Sequence, residues 1–368
     1  MAVYKIFPTQ DTTLYSLWPE LNSGLDEIIE TNLDVNYPTL PAPNASRILI
    51  QFSDSEIADV INNKISGSAW TANLKCFVAD VTGLNTDTYL DTYPISQSWN
   101  NGTGKLSNSP ETQDGASWKW RTYEGGSEWL TSSFAAGSTG SYSTVNGGAT
   151  WYVTQSLSAS QTFSMYGDKD ISLNVKNIVS AWYSSSIPND GFIIKQRIEF
   201  TDDIDVQPQL KYFSIDTHTI YPPCLEFKWV DYVFNTGSST ATIINTNQLV
   251  TSIANNPGVF YSGSINKFRV NVRPEYPART FQTSSLYTTN YYLPTASYYA
   301  IKDLDTNEFV VDFDSTYTQI SADVSGSYFT LNMNGMQTER YYSILIKTTI
   351  DGSTQVIDNK QYFKIING

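Results

Sequence analysis

Charge is scarce in this chain, and positive charge most of all. Only 16% of its 368 residues are charged, with 22 Lys and Arg against 36 Asp and Glu, for a formal net charge of −14. Phosphate-backbone binding needs clustered cations to displace counterions, so no nucleic-acid partner is expected. Histidine is nearly absent: His218, in the loop-like DTHTIYPP, is the only one. That removes the usual base or ligand of Ser-His-Asp, Cys-His and His-based metal centres. The two cysteines, Cys76 and Cys224, lie far apart in sequence, show no metal-type spacing, and read as small buried hydrophobes. Long apolar runs are missing too, so no membrane partner is expected. The start MAVYKIFPTQ has no charged segment followed by an apolar one. The product is expected to be made in a cytoplasm and not to leave by a cleaved signal.

Carboxylates are plentiful, but none falls in a recognisable acid–base motif, although some pair among so many will always match a glycosidase separation. Asp303-Leu304-Asp305-Thr306-Asn307 offers oxygens at alternate positions, yet Glu308 occupies the sixth place, where a calcium-binding EF-hand loop requires Gly. A charged hairpin turn is the simpler reading. Asp168 with Asp170, and Asp202, Asp203 and Asp205, read as solvated turns, with ion coordination as the alternative. No catalytic residue, cofactor or metal ligand is assigned, and the chain is not expected to be an enzyme.

What the chain does have is aromatic residues, 14% of the total, with 25 Tyr and 17 Phe. Aromatic and β-branched side chains fit the pleated, half-buried surface of a sheet. The length exceeds the usual single core, so two domains are expected. The segment 170–195, DISLNVKNIVSAWYSSSIPNDGFIIK, organises the first of them. Ile171, Leu173 and Val175 alternate with polar residues at the strand period. Ile178, Val179 and Trp182 follow at helical spacing, and Phe192, Ile193 and Ile194 form a buried strand after turn residues.

Upstream, strands are expected over residues 2–7, 12–15, 47–52, 70–81 and 88–95, with a sharp reversal at Asn22-Ser23-Gly24. Pro38, Pro41 and Pro43 put 37–44 in a surface loop. Ser53 is placed to cap a short helix carrying Ile57, Val60 and Ile61. Ile198 to Phe200 should extend the strand at 192–194, and 209–216 should form another. The two prolines at 222 and 223 can precede but not occupy the next strand.

Residues 100–150 are poor in aliphatics and interleave Gly, Ser, Thr and Asn with aromatics. Such an excursion is either a functional loop or a pair of short hairpins packed by their own rings, the second reading being favoured over 117–130, with 137–148 as an exposed turn region. Trp99, Trp118, Trp120 and Trp129 are the candidate binding residues. Exposed indoles can stack on pyranose faces, while the competing readings are that they pin the insertion down or are buried against a neighbouring subunit.

Composition shifts near residue 235. Beyond it, short strands alternate at period two, as in Phe268/Val270/Val272, Phe309/Val311/Phe313 and Tyr342/Ile344/Ile346, with turns at Asp305-Thr306-Asn307 and Asp351-Gly352. The expected fold is all-β. A jelly-roll-like β-sandwich with one or two short helices over 1–235 is followed by an immunoglobulin-like β-sandwich over 236–368.

Taken together, the 47–52 strand with Ile57, SAWTANLKCFVAD, PISQSWNNG, the 170–195 block and FSIDTHTIYPPCLEFKW resemble the DNRLRE-type domain, a jelly-roll found in surface-attached and carbohydrate-associated proteins. The chain departs from that pattern at Phe52-Ser53-Asp54-Ser55. In the second half, PARTFQTSSLYTTNYYLPTASYYAIKDLDTNEFVVDF and ERYYSILIKTTI are similar to structural proteins of tailed bacteriophages, particularly marine T4-like ones. That resemblance implies a non-enzymatic virion component of neck, tail or capsid surface, whose partners are copies of itself and other virion proteins. The alternative is a carbohydrate-binding adhesion module that contacts a host glycan.

Overall fold

The computed structural model describes residues 2–34, 44–130, 141–144, 147–197, 206–237, 241–277 and 290–368. Among them are 28 strands and only two α-helices, so the protein is all-β. The proline loop, the 198–200 extension and the Asp202, Asp203 and Asp205 cluster lie outside the described residues.

The chain forms two compact units. An N-terminal unit comprises 6–63 and 71–226, and a C-terminal unit comprises 1–5, 64–70 and 227–368. The division therefore falls between Glu226 and Phe227, within one continuous strand, Cys224–Trp229, whereas composition places the change near residue 235.

The main sheet of the N-terminal unit runs in the order Ala159–Phe163, Thr88–Pro94, Phe192–Gln196, Asn44–Gln51, Ile28–Asp34, Gln207–Phe213 and Val78–Thr82, and Gln10–Tyr15 also pairs with Asn44–Gln51. Asn44–Gln51 is central, and Ile48, Leu49 and Ile50 are all fully buried. A strand covered on both faces shows a continuous apolar run in place of alternation, which is why RILIQF stands out in sequence. A second layer is built on Trp70–Cys76 and Ile171–Asn174, which pair antiparallel from Ile171↔Cys76 to Asn174↔Asn73. There the period is two: Ala72, Leu74 and Cys76 point inward, as do Ile171 and Leu173. Cys76 and Cys224 are both buried free thiols.

Helix α1 spans Asp54–Asp59 and passes directly into a π-helical turn, Val60–Lys64, with Ile57 and Val60 buried. Ser53 precedes it, but its hydroxyl pairs with Ser55 Oγ, and its carbonyl accepts the Ile57 N–H at 3.1 Å. The side-chain cap expected there is not made. Helix α2, Lys176–Tyr183, buries Ile178, Val179 and Trp182, the stripe visible in the sequence. Ser185, at φ 56°, closes it in the left-handed region, and the Ser186 N–H returns to the Ala181 carbonyl at 2.9 Å.

The C-terminal unit is a sandwich of two sheets. One runs Leu249–Ala254, Ile265–Pro274, Gly326–Asn332, Ser321–Asp323. The other runs Val259–Tyr261, Tyr362–Ile366, Tyr341–Ile350, Ser297–Asp303, Phe309–Val311, with Ser353–Ile357 also paired to Tyr341–Ile350. Inward residues of both sheets form one core, in which Phe268 stacks on Phe329 at 5.2 Å and Phe329 on Tyr299 at 4.2 Å. Each such ring contributes about 1.5–3 kcal/mol by leaving water. Asp351 (φ 50°) and Gly352 (φ 78°) make the tight turn between the strands ending at Ile350 and starting at Ser353.

Candidate functional site

Asn22 anchors the segment that carries the candidate tryptophans. Its amide donates to the carbonyls of Asn101 and Ala116, both at 2.7 Å, and its Oδ1 accepts the N–H groups of Gly24 and Gly104. One buried side chain thus ties the expected reversal to the start of the aromatic insertion. Within that insertion, Trp120–Thr122 and Ser127–Glu128 pair as the expected hairpin. The tryptophans sit as follows. Trp99, Trp118 and Trp129 are buried and share a core with Leu49, Ile95, Trp151 and Ile193. Trp99 Nε1 donates to the Asp190 carbonyl at 2.8 Å, and Trp129 Nε1 to the Ser117 carbonyl at 2.9 Å.

Arg47, itself fully buried, lies 4.5 Å from the Trp118 ring and 5.2 Å from the Trp151 ring, and donates to the Gly148 carbonyl. Gly148 has φ 82°, and a Cβ there would come within 2.5 Å of Arg47 Nη1. Only glycine lets the chain pass over this stack. Residues 147 and 148, expected in an exposed turn, are therefore buried at the start of the strand Gly147–Tyr152. Only Trp120 stays half-buried, edge-on to Tyr123 at 5.8 Å. Trp99, Trp118 and Trp129 thus pack the insertion against the sheet.

Exposed aromatics are found instead on the outer face of the six-stranded sheet in the C-terminal unit. Phe260, Tyr342 and Phe363 point inward, so their neighbours point out. Register places Val259, Lys364 and Tyr341 in one row, and Tyr362, Ser343, Lys302 and Phe309 in the next. Tyr261 (59% exposed), Tyr341 (51%) and Phe309 (46%) leave about half of their area in water. Lysines run between the rings: Lys364 is 5.8 Å from the Tyr341 ring, Lys302 5.8 Å from Phe309, and Lys347 4.7 Å from Phe313. Glu339 is the acid paired with Lys364.

Neither family models nor curated proteins match this sequence. Among solved structures the chain is similar to a DUF4785 family protein from Legionella pneumophila, at 7% identity over 98% of this chain and 66% of that one, with a TM-score of 0.19. It is also similar to the β-glucuronidase of Parabacteroides merdae, at 8% identity over 96% of this chain and 36% of that one, with a TM-score of 0.16. The chain spans just under two thirds of the first protein and about a third of the second. At such TM-scores the backbones do not superimpose as wholes, and neither protein's activity carries over.

Charge is divided unevenly between the units. The N-terminal unit carries 25 acidic and 10 basic residues, net −15, and the C-terminal unit 11 acidic and 12 basic, net +1. Individual acids are committed to structure. Asp303 accepts two hydrogen bonds from Arg340, at 2.6 and 2.9 Å, and its Oδ1 also accepts the Asp305 N–H at 2.8 Å. Burial works against its charged form, but the guanidinium and the turn N–H groups hold its carboxyl below the usual range. Asp170 accepts the Val78 N–H, and Asp168 the Asp170 N–H, as turn acceptors. Among the described residues no group of three His, Cys, Asp or Glu could hold a metal ion. His218 is exposed, 3.6 Å from Glu27.

Asp11 was not singled out by sequence reasoning. It is buried, and desolvation pushes its carboxyl up to about 8, with the Ile215 N–H pulling the other way and Asp216 adding repulsion. Its position in an ordinary strand, QDTTLY, carries no signal that it would be enclosed.

Proposed function

We propose that this protein is a non-enzymatic structural component of a tailed-phage virion, at the neck, tail or capsid surface, that assembles with copies of itself and with other virion proteins. The virion context rests on the sequence resemblance of the second half. The observation that carries assembly is the outer face of the six-stranded sheet, where rows of exposed Tyr, Val and Phe are threaded by Lys302, Lys347 and Lys364.

The occupant this face fits is the acidic N-terminal unit of a second copy. Complementary charge steers such an encounter and fixes its register, while tyrosines supply large contact area at low entropic cost. Because the two surfaces differ, the contact is head-to-tail and generates a ring or a filament, whichever the rotation allows. The strands at the margins of the sheet, Val259–Tyr261 and Phe309–Val311, are three residues long, which limits indiscriminate edge pairing.

Mass spectrometry of purified particles tests this reading. A fixed copy number per particle, lost when Lys302, Lys347 and Lys364 are replaced by Glu, is the expected result. Particles that lack the protein, or that incorporate the charge-reversed form normally, would overturn it.

A further inference from the structure

Within the N-terminal unit a cleft of about 570 Å³ opens between α1 and the end of α2, and it uses none of the residues assigned above. Pockets of this size, within the range of about 300–1,000 Å³, are typical of small-molecule sites. Ile57, Trp182, Tyr183 and Pro188 give it apolar and aromatic walls, and Asp54 and Asn189 give it a polar side.

The polar side is held in place before any ligand arrives. Asn189 Nδ2 donates to the Phe52 carbonyl at 2.9 Å and to Asp54 Oδ1 at 2.8 Å, while its own Oδ1 accepts the Gly191 N–H at 3.2 Å. The walls are fixed as well. Trp182 packs on Phe192 with ring centroids 4.5 Å apart, and the Tyr183 hydroxyl donates to Asn62 Oδ1 at 2.6 Å. Trp182 is buried, yet its indole N–H has no hydrogen-bond partner among the described residues. An orphan donor of this kind calls for an explanation.

We propose that this cleft binds a neutral pyranoside. A sugar ring has an apolar face for the aromatic wall and hydroxyls for the Asp54 carboxylate, which Asn189 holds in place, so its polarity matches the cleft wall by wall. Acidic ligands are disfavoured, because Asp54, Glu56 and Asp59 all lie on α1 and the unit carries a net charge of −15. This site is independent of the assembly surface and of the four tryptophans of the insertion.

Saturation-transfer NMR on the full chain tests it, with methyl glucopyranoside, methyl galactopyranoside and tri-N-acetylglucosamine as neutral probes and N-acetylneuraminic acid and choline as charged ones. At least one neutral sugar is expected to bind saturably, with affinity falling about tenfold or more in Tyr183→Ala and in Asp54→Ala and unchanged in Trp120→Ala. The Trp182 indole N–H resonance of the unmodified chain should shift on titration, a readout that holds even if a variant fails to fold. An unmoved indole resonance, absence of neutral-sugar binding, stronger binding of choline or N-acetylneuraminic acid, or binding retained in folded Tyr183→Ala and Asp54→Ala would each overturn the proposal.

Discussion

At the scale of single residues, burial decides roles that composition leaves open. A tryptophan in a Gly- and Ser-rich segment looks exposed, because its sequence neighbours are polar. The partners that enclose Trp99, Trp118 and Trp129 come from elsewhere in the chain: Leu49 and Ile193 from two central strands, and Arg47 across from Gly148. Trp118→Ala and Trp129→Ala should each destabilise the fold by about 3–5 kcal/mol, whereas Trp120→Ala should change thermal unfolding far less. Equal effects of all three on the melting temperature would contradict the placement. Asp11 gives a pH signature. Folding raises its carboxyl from 3.8 to about 8, so its contribution to stability is fully present below about pH 4 and is lost as pH climbs through 8. Asp11→Asn should therefore flatten the decline of the melting temperature between pH 5 and 8.5, as followed by circular dichroism.

At the scale of elements, the turn at Asp303 shows how one pattern supports two readings. Alternating oxygens resemble a cation loop, but both carboxylate oxygens of Asp303 are already engaged by Arg340. Asp303→Ala should cost about 1–3 kcal/mol, the value of charge-assisted hydrogen bonds whose partner stays partly buried. Millimolar calcium should leave the melting temperature of the unmodified protein unchanged, and a calcium-induced rise would refute the ion-pair assignment. Elements of this kind are legible where the period is clean. Alternation in Phe268/Val270/Val272 and the stripe Ile178/Val179/Trp182 both translate directly into buried faces. What escapes is non-local: no spacing reveals that Asn22 will clamp residues 101, 104 and 116, or that α1 will pass into a π-turn at Val60. The cleft between the helices escapes for the same reason, since its walls come from segments more than a hundred residues apart.

At the scale of the whole molecule, the central claim is that a sheet face of lysines and aromatics recognises the strongly acidic unit of another copy. Neither the division of charge nor the outward rows can be read until the units and the strand register are known. In the proposed virion setting, this surface would supply the physical means of assembly. Sedimentation equilibrium of the purified chain, at low salt and at 1 M salt, tests this most directly. Screening shortens the reach of charge from about 10 Å at 0.1 M to about 3 Å at 1 M, so concentration-dependent association is expected at low salt and should weaken at high salt. It should also be abolished by replacing Lys302, Lys347 and Lys364 with Glu. A chain that remains monomeric at every concentration and salt, or whose association ignores the charge reversal, would contradict the account.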